Sequence, residues 1–193
     1  MGLDILIDGF FTDWERRISQ AVTVFDDSDD GFDAAGSFIG SELSDYADIE
    51  KVMLYSDTDF FYGLIDTYSA GDSKDFSWSL FLDIDDNPST GYAANWGSIG
   101  AEYLFLNGIL HSWSGKSSGD WSWEPINDSC IALSQGIQTQ HLPEFAIPRP
   151  RINWITNNPI KLYFQMNDVR GTGWEDDYMD NLPEFGEGGI LFP

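Results

Sequence analysis

Leu80-Phe81-Leu82-Asp83-Ile84-Asp85-Asp86-Asn87-Pro88-Ser89-Thr90-Gly91-Tyr92 sets a short apolar run directly against carboxylates, an amide and a turn. A run this brief, bounded by turn residues, reads as a strand rather than a helix. Pro88 and Gly91 supply the backbone geometry that turns the chain. The same punctuation recurs in both directions. Strands are predicted at Leu3–Ile7, Ala21–Phe25, Ile49–Tyr55, Phe60–Ser69 and Phe76–Asp85 on one side. Beyond the turn they are predicted at Glu102–Leu106, Ile109–Trp113, Trp121–Glu124, Ser129–Leu133, Ile137–Ile147 and Ile160–Asn167. No long helical period occurs. Asp13–Ile18 reads as one helical turn, capped by Asp13 with Arg16 and Arg17 near its end, and a second short turn is expected after Pro148. Many short strands separated by turn clusters are the mark of a sandwich or barrel. With no internal repeat and no linker, one domain is expected over residues 1–193.

That length buries a core without disulfide staples, and the single Cys130 permits no intrachain disulfide. Against 9 basic residues stand 33 acidic ones, a net charge of −24. Such a chain has no basic stripe to release phosphate counterions, so nucleic acid is excluded as a partner, and anionic lipid is disfavoured. Solubility accounts for most of the acid, and carboxylates also hold hard cations. No apolar stretch is long enough to insert in a membrane. Met1-Gly2-Leu3-Asp4 carries no signal peptide and leads straight into a predicted strand. The expectation is a module of a larger secreted or cell-surface protein, freed of its leader. Eight Trp, eight Tyr and fourteen Phe exceed what a core requires, so some are expected to serve a surface.

In the acidic loop, alternation places Asp83 and Asp85 on one side of the chain, within reach of one cation. Oxygen ligands in an irregular loop suit calcium. Asp83, Asp85 and Asn87 match the first three positions of an EF-hand loop, but Pro88 stands where glycine is required and Ala94 where the bidentate glutamate belongs. A cation loop and a plain Asp/Asn turn ending a strand both remain open on spacing alone.

Ile5-Leu6-Ile7-Asp8-Gly9-Phe10-Phe11-Thr12-Asp13-Trp14 resembles the opening strand of family 9 carbohydrate-binding modules and their DOMON-like relatives. The order continues through Asp48-Ile49-Glu50-Lys51-Val52, Asp59-Phe60-Phe61-Tyr62, the acidic loop and Gly100-Ala101-Glu102-Tyr103-Leu104. It then runs through Glu144–Pro148 and Phe164-Gln165-Met166-Asn167-Asp168, and so spans nearly the whole chain. The resemblance implies an all-β, antiparallel two-sheet sandwich, jelly-roll-like, secreted, with structural calcium. It implies Asp83, Asp85 and Asn87 as ligands, joined by Glu102 from the next strand. The family's sugar clamp uses two tryptophans, and here residues 71–75 contain none, so the resemblance carries no sugar specificity.

The expected partner is a polysaccharide or oligosaccharide, held by tryptophans without catalysis. With a turn centred on Ser117, Trp113 faces Trp121 and His111 faces Trp123 on one side of a hairpin. That face is either a stacking patch for pyranose rings or the inward face of the sandwich. Trp96 in Ala93–Gly97, and Trp174 with Tyr178 in Gly171–Tyr178, lie in polar loops and are better ligand candidates. Trp14, Trp78 and Trp154 are expected in the core. Gly115-Lys116-Ser117-Ser118-Gly119 matches a nucleophile-elbow pattern, but Trp-Ser-Trp follows where a helix is needed. Asp26, Asp27, Asp29 and Asp30 read as a solvated loop before a second metal site. Two alternatives stand beside sugar binding. One is a structural or adhesion spacer. The other is a haem domain drawing axial ligands from Met53, Met166, Met179, His111 and His141.

Overall fold

The computed structural model describes residues 4–8, 11–28, 30–33, 47–69, 76–126, 131–132, 143–154, 158–168, 178–184 and 187–193. One short helix, α1 (Thr12–Arg17), precedes β1 (Val22–Phe25), β2 (Phe32–Asp33), β3 (Ile49–Ser56), β4 (Phe60–Thr67) and β5 (Phe76–Asp83). There follow β6 (Tyr92–Ala94), β7 (Ile99–Ala101), β8 (Tyr103–Leu106), β9 (Ile109–Trp113) and β10 (Trp123–Pro125). Last come β11 (Ile131–Ala132), β12 (Glu144–Pro148), β13 (Ile160–Asp168), β14 (Tyr178–Leu182) and β15 (Ile190–Phe192).

These strands form the expected antiparallel sandwich. One sheet runs β1-β3-β4-β12-β11, and an eight-stranded sheet runs β10-β9-β8-β5-β13-β14-β2 with β15 also paired to β13. Alternation decides what lies between them. On β5, Trp78, Leu80 and Leu82 enter the shared core, whereas Phe81 belongs to a separate cluster on the outer face. The core centres on Phe145, whose ring lies 5.6 Å from Trp78, 5.3 Å from Phe105 and 6.0 Å from Phe61. Gly63 makes room for it, since a Cβ there would sit 2.1 Å from Phe145 Cζ. Each large apolar side chain so enclosed contributes about 1.5–3 kcal/mol. Trp14, Trp78 and Trp154 are buried as expected.

Several sequence expectations are corrected. Residues 4–8 form no strand. Their amides are spent on side chains instead: Asp4 N–H donates to Tyr62 Oη (3.2 Å), Leu6 N–H to Asp13 Oδ2 (2.5 Å) and Asp8 N–H to Glu144 Oε2 (3.1 Å). Asp13 is thus occupied from inside α1, and Phe11 holds the cap position without a side-chain bond. Glu144 also accepts from Trp14 Nε1 (2.7 Å), fastening α1 and Ile5 onto the outer face of the five-stranded sheet. The turn after Pro148 is present as Arg149–Ile152. β2, β6, β7, β14 and β15 appear where no strand was expected, and residues 137–142 of one expected strand lie outside the described set.

Candidate functional site

The site is built by the hairpin β6–β7, which folds back over the outer face of the eight-stranded sheet. Its small inward residues Ala94, Ile99 and Ala101 allow it to lie on Phe81, Leu104 and Tyr163. Its base is held by backbone packing: a Cβ on Gly100 would meet Thr90 O at 2.1 Å and Asn87 O at 2.4 Å. Near its tip Asn95, Trp96 and Gly97 all take positive φ, at 43°, 55° and 84°. Only glycine adopts that region without cost, and a tryptophan there is held by its surroundings. Asn95 supplies the hold, donating through Nδ2 to Glu187 O (2.8 Å) and Glu184 O (3.2 Å), while Ser98 Oγ donates to Glu187 O (2.9 Å). The result is an indole left 76% exposed.

Beneath Trp96 runs a groove of about 230 Å³ lined by Phe81, Tyr92, Trp96, Trp121, Tyr163 and Gln165 among others. Trp121 is 55% exposed, with its ring 5.1 Å from Tyr92, 5.7 Å from Trp123 and 6.1 Å from Phe81. Tyr163 lies 5.7 Å from Phe81 and donates its hydroxyl to Asn181 Oδ1. Burial raises the Tyr92 and Tyr163 phenols, so both stay neutral hydrogen-bonding groups. A wall of rigid aromatic faces broken by a few polar groups is the usual make-up of a small-molecule or sugar site.

The acidic loop sits at the base of the same hairpin. Asp83, Asp85 and Glu102 bring carboxylate oxygens within 4.8 Å of one another. Asp83 is fully buried and accepts from Gly100 N (3.3 Å) and Asn87 N (3.2 Å). Glu102 accepts from Ile84 N (3.0 Å), and Thr90 Oγ1 lies 3.1 Å from both Asp85 and Glu102 oxygens. Burial, with repulsion from Asp85, pushes Glu102 up to about 7, and burial raises Asp83. An all-oxygen set with accumulated negative charge suits a hard cation such as calcium, whose charge would relieve that repulsion. Of the expected ligands, Asp83, Asp85 and Glu102 are brought together. Asn87 contributes differently: its Oδ1 accepts from Ser89 N (3.1 Å), as in an Asx turn, and its backbone N–H faces the carboxylates. The Thr90 hydroxyl was not anticipated; its place in the turn gave no spacing signal.

The tryptophan hairpin is corrected in register. β9 and β10 pair Trp113 with Trp123 and His111 with Pro125, each partner two residues later than expected, so that the turn centres on Ser118 instead of Ser117. Asp120 is the reason. Its carboxylate takes Lys116 N–H (3.1 Å) and Ser122 Oγ–H (2.6 Å), which widens the loop and releases Trp121 from the strand. Trp113 is pinned against that loop by Nε1–H donation to Asp120 O (2.9 Å) and is no groove residue, while Trp123 backs Trp121 from beneath. Trp174 lies outside the described residues, and Tyr178 opens β14 opposite Asp168 and Asp33. Gly115–Gly119 belongs to the loop between two strands. For haem, Met53 and Met166 fall in different clusters, and His111 and Met179 sit on strands four spacings apart, about 19 Å. His141 is outside the described residues.

Of the aspartate run expected to be a solvated loop, Asp27 is exposed, Asp29 lies outside the described residues, and Asp26 and Asp30 are drawn partly inward. Asp26, Asp30 and Glu184 bring carboxylate oxygens within 4.8 Å of one another, as do Asp30, Asp48 and the fully buried Asp180. No protein-family model, curated protein or solved structure matches this chain.

Proposed function

We propose that this chain is a non-catalytic carbohydrate-binding module of a secreted or surface protein, taking saccharide in the groove under β6–β7 and calcium in the acidic loop. The observation that carries this reading is Trp96: a largely exposed indole fixed in left-handed backbone over a groove floored by Phe81 and Tyr163. Flat aromatic faces stack on the apolar faces of pyranose rings, and their rigidity keeps the ordering cost low. The calcium reading rests on the oxygen donor set of Asp83, Asp85 and Glu102. The resemblance to family 9 modules agrees with the calcium part, while the sugar part rests on the groove itself, since the family's first clamp tryptophan has no counterpart at residues 71–75. Affinity electrophoresis through gels containing soluble polysaccharides tests the sugar reading. The parent is expected to be retarded by at least one glycan, and Trp96→Ala and Trp121→Ala to lose retardation with unchanged melting temperature. A parent that migrates freely through every gel leaves the spacer-domain reading in its place.

A further inference from the structure

The groove has one polar bank. Across the outer face, Gln165 on β13 stands in register with Ser79 on β5 and Asn181 on β14. Gln165 lines the groove, and the partner of its Nε2–H is the thioether of Met179 (3.0 Å), a weak acceptor. Beside it, Asn181 is fully buried, its Oδ1 taken by the Tyr163 hydroxyl and its Nδ2 without a hydrogen-bond partner among the described residues, so it braces the wall behind Gln165. Gln165 is only partly buried and lines the groove, so a carboxamide held there, among the described residues, by no more than a thioether keeps bonding capacity for a ligand. A carboxamide presents a donor and an acceptor side by side, which matches two neighbouring hydroxyls on a sugar ring, one accepting and one donating. Among the described residues, none that lines the groove carries a charge, and the chain's net charge is −24. A uronate or sulfated sugar would therefore meet repulsion from the acidic chain with no basic side chain among the described lining residues to offset it.

We propose that the groove selects an uncharged glycan, with the Gln165 carboxamide gripping a pair of adjacent hydroxyls on the ring that stacks against Trp96 and Trp121. This rests on the sugar-binding reading above and gives it a ligand class and a specificity residue. The test is affinity electrophoresis, together with tryptophan-fluorescence titration, against β-1,3-1,4-glucan, xylan, galactomannan and polygalacturonate at low salt. The proteins compared are the parent, Trp96→Ala, Gln165→Met and Gln165→Asn. A neutral polysaccharide should bind the parent and polygalacturonate should not. Gln165→Met, which keeps the volume but not the hydrogen bonds, should weaken binding about tenfold. Gln165→Asn, with its amide withdrawn, should fall between, and both should melt with the parent. Parent-like binding by Gln165→Met, with binding still lost in Trp96→Ala, overturns the role of Gln165 and leaves the groove standing. Preference for polygalacturonate overturns the neutral class. Failure of the parent to bind any of the four overturns this proposal together with the reading beneath it.

Discussion

Trp96 shows how a single residue carries the tension between stability and use. A bulky side chain in left-handed backbone costs about 1–2 kcal/mol relative to glycine, which adopts that region freely. The indole recovers little of this by burial, being 76% exposed. Trp96→Gly is therefore expected to raise the melting temperature by a few degrees while abolishing retention on any glycan the parent binds. Calorimetry and gel retardation on the same two proteins check it; a glycine variant less stable than the parent would show that the indole supports the fold. Gln165 is the contrasting case, a residue whose exchange is expected to alter recognition and leave stability alone.

At the scale of elements, the acidic loop and the hairpin form one unit, because the loop leads into β6, Glu102 follows β7, and Gly100 of β7 packs on the loop and donates to Asp83. A cation bound there stabilises the fold by linkage, worth about 2.7 kcal/mol at one hundred times its dissociation constant. Adding calcium to chelated protein is expected to raise the melting temperature. Glu102→Gln, which removes one carboxylate, should blunt that rise, and a parent whose melting point ignores calcium would remove the ion from the account. This unit also marks what was legible in the sequence. Asp83 and Asp85 were readable because strand alternation and turn chemistry act over a few residues. The long strands β3, β4, β5 and β13 were readable for the same reason. The hairpin was not: Tyr92-Ala93-Ala94 and Ile99-Gly100-Ala101 are too short and too small to show a period, and only packing on Phe81 makes them strands. Residues 4–8 misled because an apolar run suggests a strand even when distant side chains take its amides. The groove itself combines β5, β6, β13 and the loop carrying Trp121, a convergence no local pattern encodes.

Across the whole molecule, Asp26, Asp30, Asp48, Asp180 and Glu184 gather into one partly buried acidic group that joins distant parts of the chain. Asp26 is pushed up to about 8 by burial and by its neighbours Asp30 and Glu184, and Glu184 to about 7 by burial and Asp30. Burial also raises Asp180, which accepts from Ile49 N–H (2.6 Å) and Asn181 N–H (2.8 Å). Folded pKa values above the unfolded ones mean that the folded chain binds more protons, so stability falls as pH rises. The stabilisation is complete below about pH 4, the ordinary carboxylate value, and is lost as pH climbs through about 7 to 8. In chelator, melting temperature is expected to decline between pH 5 and 9 and to decline less in Asp26→Asn. A flat or rising profile would contradict this. The pairing of β15 with β13 has a separate consequence, for the order of events during synthesis. Phe192 packs on Phe61 and Trp154, with ring centroids 5.3 Å and 5.7 Å away, and Ile49 is tied to Asp180 across 131 positions of chain. Closures over such separations are slow, and a nascent chain must keep its early strands from wrong partners until Phe192 has left the ribosome.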